Sequence, residues 1–188
     1  MASVGALRTC GAPAPLTLVV RRPIPTNDMD IITREAAIGD AQSVAELFDL
    51  YRQFYEQPAD LPLATAFITE RINKKQSVIL LATTNEVGPV GFCQLYPTFC
   101  SVEAQPIYSL YDLFVLPVAR RHGVGQMLLR AAEEHARVNG RARMDLTTAR
   151  TNHQAQRLYE SMGWVRDEVF FAYSRHVGSR SKPCTTNS

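Results

Sequence analysis

The chain has 188 residues, 46% of them hydrophobic and 20% charged, a composition that supports one ordinary buried core and excludes a wholly disordered chain. A formal charge of +2, from 20 Lys+Arg against 18 Asp+Glu, is too even to predict a nucleic-acid-binding face. No run approaches the roughly 18 to 20 consecutive apolar residues a membrane-spanning helix needs, so no membrane partner and a cytoplasmic protein are expected.

Residues 1–28 lack periodicity and carry Pro13, Pro15, Pro23 and Pro25. Their apolar patch at 16–20 precedes Arg21 and Arg22, the reverse of the order in a signal peptide. A disordered extension is expected there, a disordered tail over 178–188, and one domain over 29–177. Residues 31–35 read as a strand. Asp40 stands at an N-cap position before Val44, Leu47, Phe48, Tyr51, Phe54 and Tyr55, which follow at helical spacing. Pro58 and Pro62 break that helix, and 63–73 predicts a second. The runs 78–83 and 90–98 around a turn-like cluster predict a hairpin, and 106–116 a long strand. A helix is predicted from 123 to about 138, stopped by Gly140, then a strand at 142–148, a helix at 152–162 and a final strand or pair of strands in 163–173. This order predicts an α/β (mixed α+β) domain, its mixed sheet covered by helices on both faces.

Cys10, Cys93, Cys100 and Cys184 form no C-x-x-C pair, and His122, His135, His153 and His176 are scattered. Reduced thiols and no metal site are the expectation. Chemistry concentrates at 112–125, where a strand runs through Arg120 and Arg121 into Gly123-x-Gly125 at the start of a helix. Two glycines in three residues let backbone N–H groups converge, and with the arginines they form an anion cradle. A Rossmann nucleotide-cofactor site is an alternative, since Asp145 lies 20 residues beyond Gly125, but the third glycine of that fingerprint is replaced by Leu128.

Arg120-x-x-Gly123-x-Gly125 resembles the pyrophosphate motif of the GNAT superfamily of N-acetyltransferases. Asn152-x-x-Ala155-x-x-Leu158-Tyr159-x-x-x-Gly163-Trp164 resembles that family's fourth-helix motif. The resemblance implies a central mixed, mostly antiparallel sheet of six to seven strands, splayed at the cofactor strand. It implies acetyl-CoA as co-substrate. The backbone of Leu113, Phe114 and Val115 would hold the pantetheine arm, while Arg120, Arg121, His122, Gly123, Val124, Gly125 and Gln126 hold the pyrophosphate. Asn152 and Ala155 would add coenzyme A contacts, Asn152 also being a natural N-cap. Tyr159 would serve as the acid facing the departing thiolate, through a hydrogen bond or through a pKa lowered by a helix dipole.

An alkylammonium of pKa about 10.4 is neutral in only about one molecule in 2,500 at pH 7, so a base or a desolvated site is required. Asp112 is the leading carboxylate, with Glu103 and Glu56 behind it. Tyr51, Tyr55 and Glu56 could surround the acceptor cation. The string from Asp112 to Val115 also resembles the histone and polyamine acetyltransferase branch, from which Tyr111 departs in place of an acidic residue. Expected partners are a small-molecule amine or a peptide amine, and a homodimer is compatible with the sequence. A GNAT-like fold that binds acyl-CoA without turnover is the remaining alternative.

Overall fold

A computed structural model describes residues 30–175 and residue 177; the extension expected at 1–28 and the tail expected at 178–188 lie outside the described residues. The elements are β1 (Ile31–Glu35), α1 (Ala41–Phe54), α2 (Leu61–Asn73), β2 (Val78–Thr84), β3 (Gly88–Cys100), β4 (Gln105–Val115), α3 (Val124–Val138), β5 (Met144–Leu146) and α4 (His153–Ser161). The strands form one sheet in the order β1-β2-β3-β4-β5, antiparallel at every pairing except β4 with β5. A parallel Rossmann sheet is therefore not what these elements build.

Alternation along β3 sends successive side chains to opposite faces. Phe92 meets Phe48 and Tyr51 of α1, while its neighbour Cys93 reaches the Leu128 carbonyl of α3, so α1 and α3 cover opposite faces. Burial desolvates the Cys93 thiol and pushes it up to about 12, which leaves it protonated packing material.

The first helix starts differently from its expected cap. Asp40 makes no forward bond into α1; its carboxylate accepts from the Ala37 N–H at 2.8 Å and pairs with both arms of the Arg34 guanidinium at 2.7 Å. That pairing holds Asp40 down to about 2. Pro62 lies inside α2 rather than before it, because proline is tolerated in a first turn whose N–H groups lack partners, and Asp60 caps the helix by accepting from Leu63 N–H.

The expected strand or strands within 163–173 do not form, and the sheet has five described strands rather than six or seven. The cause is local: one oxygen of Asp167 accepts from the N–H groups of Val169 and Phe170 at 2.7 and 2.9 Å, an Asx turn that bends the chain midway through the run. Phe170 and Tyr173 stay 81% and 92% exposed.

Candidate active site

The site begins with a one-residue irregularity in β4. Gln94 of β3 pairs with Asp112, but Leu95 pairs with Leu110, so Tyr111 is the extra residue of a β-bulge. Before the bulge Tyr108 faces α3, its ring 5.7 Å from that of His135; after it Phe114 faces α1, 6.2 Å from Tyr51. The bulge thus turns Asp112 to the α1 side, where it is 6% exposed beside Tyr51. Loss of hydration pushes its carboxyl up to about 6, against an opposing pull from the Tyr51 hydroxyl. Burial and the charge of Asp112 in turn drive Tyr51 well above an ordinary phenol.

β4 and β5 pair only from Tyr108–Met144 to Leu110–Leu146, and then separate. From Tyr111 to Val115 the outer edge of β4 has no strand beside it among the described residues, and a cavity of about 340 Å³ opens in the gap. This is the expected splay. Leu113, Phe114 and Val115 line the cavity on one side, with Thr147, Thr148, Asn152, Ala155 and Tyr159 across from them.

The start of α3 closes one end of the cavity. Arg121 (φ 67°) and Gly123 (φ 77°) both take left-handed backbone, which curls the loop so that the first turn of α3, from Val124, lines the opening. The first N–H groups of a helix have no intrahelical acceptor, and the N-terminus carries a partial positive charge. A side chain on Gly123 would meet nothing within 4 Å, so its role is conformational; a Cβ on Gly125 would lie 3.3 Å from Leu158 of α4, so its role is close packing. Arg120 is tied to the wall, donating to the Val115 carbonyl at 3.0 Å with its guanidinium over the rings of Phe54 and Phe114.

α4 is delimited at both ends. Asn152 caps it, accepting from Ala155 N–H at 3.2 Å. At its C-terminus Trp164 N–H reaches the Tyr159 carbonyl and Gly163 N–H reaches the Glu160 carbonyl, with Gly163 left-handed, a Schellman stop. Trp164 then packs 6.0 Å from the Tyr159 ring and donates to Glu133, which holds Tyr159 against the cavity. Burial, then the neighbouring Tyr55, push the Tyr159 phenol up to about 12, opposite to the lowering considered from a helix dipole.

Most of the residues singled out in the sequence meet in this cavity, including Tyr51, Tyr55, Arg121, Val124 and Gln126, but four do not line it, among them Glu103, which pairs with Arg143 instead. Asp112 lies behind Tyr51, Glu56 is exposed past the end of α1, and His122 faces a separate shallow depression with Asp30 and Met127. The sequence reading missed Phe54 and Tyr111 as wall residues. Phe54 was visible only as one member of an apolar helical face, and the bulge that presents Tyr111 leaves no mark in local composition.

A family model described as Acetyltransferase (GNAT) family matches residues 44–164. The chain is 44% identical over 147 residues to the uncharacterised N-acetyltransferase YhfO of Bacillus subtilis (strain 168), covering 78% of this chain and 98% of that one. A crystal structure described as a probable acetyltransferase matches with a TM-score of 0.73 at 35% identity, covering 81% of this chain and all of the other. An aminoglycoside N-acetyltransferase in complex with CoA shares the fold at a TM-score of 0.68 and 17% identity, over 81% of this chain and 99% of its own. The splayed β4, the cradle at the start of α3 and these matches agree: the chain belongs to the acetyltransferase (GNAT) family and is an N-acetyltransferase.

Proposed function

We propose that the protein transfers acetyl from acetyl-CoA directly to a primary amine in the cavity between β4 and α4. One observation carries the reading: the unpaired edge of β4 from Tyr111 to Val115 shares a cavity with the first turn of α3 and with Tyr159. The cavity fits acetyl-CoA in the character of its parts. A free strand edge suits an amide-bearing arm, and a helix start with Arg121 beside it suits a pyrophosphate. Acetyl-CoA supplies the activated acyl group as a thioester.

The chain's own residues divide the remaining work. Leu113 and Val115 offer backbone groups to the arm, and the N–H groups of Val124, Gly125 and Gln126 face the diphosphate. Tyr159, protonated throughout the neutral range, donates a hydrogen bond toward the sulfur position, where negative charge collects on departure. Asp112 acts through Tyr51: the hydroxyl turns from the Tyr111 carbonyl toward the carboxylate, and as the phenol oxygen takes the proton the amine must lose, the phenol passes its own proton to Asp112, where the proton ends. Small amines, polyamines and peptide lysines all present the required nitrogen.

Two measurements test the proposal. Acetyl-CoA should raise the melting temperature of the protein while NAD leaves it unchanged. Mass spectrometry of an amine panel incubated with protein and acetyl-CoA should show an acetylated product. Binding of acetyl-CoA with no transfer to any amine would point to an acyl-CoA-binding module without turnover.

A further inference from the structure

We infer that the acceptor is a small primary amine with a single cationic centre on an aromatic or branched apolar body, and that polycationic amines are excluded. This rests on the N-acetyltransferase reading of the same cavity and narrows it. The acceptor side of the wall is a group of rings: Tyr51, Phe54, Tyr55 and Tyr111. Tyr51 and Tyr55 meet edge to face at 5.1 Å, Phe54 and Tyr55 at 5.2 Å, while Phe54, Tyr55 and Tyr111 leave much of their ring surface exposed. Such open rings take apolar groups and, through their faces, one ammonium.

Charge decides against polycations. Among the described residues no aspartate or glutamate lines the cavity, whereas Arg120 and Arg121 do. Arg120 is fixed at the junction of the acceptor rings and β4 by its bond to the Val115 carbonyl. Each ammonium brought out of water needs a compensating acceptor or anion, and a second one beside Phe54 would face the Arg120 guanidinium instead. Among the described residues, Asp112 is the carboxylate whose charge acts on the Tyr51 ring wall, and it matches one positive charge. The other acidic candidates are not part of the wall: Glu56 is exposed past α1, and Glu103 pairs with Arg143.

The test is equilibrium binding of 2-phenylethylamine, spermidine and sisomicin to full-length protein saturated with CoA, followed by calorimetry, with acetyl transfer from acetyl-CoA to the same amines read by mass spectrometry. Phenylethylamine is expected to bind at least tenfold more tightly than either polycation. Phe54→Asp, at an exposed position, should narrow that gap by strengthening spermidine. Equal or tighter binding of spermidine or sisomicin by the wild type overturns the inference, as does failure of phenylethylamine to bind. Selective binding of phenylethylamine without acetyl transfer to any amine supports the assignment of the pocket and removes the direct-transfer reading alone.

Discussion

The Tyr51 hydroxyl donates to the Tyr111 carbonyl at 3.4 Å, which ties α1 to the bulge that turns Asp112 toward it. A phenol in the cavity wall, a bulge carbonyl and a buried carboxylate thereby form one local unit.

Asp112→Asn tests that unit by kinetics and by stability. The folded carboxyl titrates near 6, above its ordinary value of 3.8, so between about pH 4 and 6 the native state holds more protons than the unfolded state. Stability falls as pH rises through that window, and above it the buried charge costs about 2 to 3 kcal/mol. Asp112→Asn should therefore raise the melting temperature at pH 8 and not at pH 3.5. Its kcat/KM should drop at least tenfold at pH 8 and lose the decline that wild type shows below about pH 6. A variant with wild-type kcat/KM at pH 8 would remove Asp112 from the proton path.

For Tyr159→Phe, only a hydroxyl is lost and the contact with Trp164 remains. A positioned acid contributes roughly 10² to 10⁴ in rate, so kcat should fall by that order while the acetyl-CoA dissociation constant stays within about twofold. Because the phenol titrates near 12, wild-type activity should show no loss from its ionisation below about pH 10. Normal turnover in the folded variant would make Tyr159 a packing residue.

At Gly125 a Cβ would already lie 3.3 Å from the Leu158 side chain, so the branched side chain of Gly125→Val crowds the junction of α3 and α4 and should obstruct approach to the backbone of the cradle. Acetyl-CoA should bind at least tenfold more weakly by calorimetry. Gly123→Ala meets no neighbour but must hold a left-handed backbone, at a cost of roughly 1 to 2 kcal/mol in stability. Unchanged affinity in folded Gly125→Val protein would sink the assignment of the loop.

The turn between α1 and α2 hangs on Asp49, which is buried and accepts from Arg52, Gln53 and the Asp60 N–H at 3.1, 2.9 and 2.9 Å. Asp49→Ala leaves those donors without their acceptor and should destabilise the fold by about 2 to 4 kcal/mol in urea unfolding. Since α1 carries the ring wall, KM for the amine should rise more than KM for acetyl-CoA. A change below about 0.5 kcal/mol would show that water replaces the carboxylate.

Deleting residues 1–28 should leave melting temperature and acetyl transfer intact, because four prolines and no amphipathic period leave that segment little to offset the entropy of ordering it. A fall of several degrees on truncation would place the domain boundary earlier than residue 29.

Local chemistry was enough to read the element order through α4, the left-handed turn at Gly123 and the cap at Asn152, because periodicity, left-handed glycine and N-cap preference act within a few residues. It also marked Tyr159 and the rings of α1, which the tertiary structure brings into one cavity. It misjudged 163–173, where β-prone residues suggested a strand and the Asp167 side chain bends the backbone instead. Which face Asp112 takes was not legible at all. Simple alternation from Tyr108 and Leu110 would send it to α3, and only the pairing of β4 with β3 shows that Tyr111 is an extra residue which reverses the alternation. A side chain's identity is set along the chain, but its facing depends on register with a partner strand, and register is a property of the folded sheet.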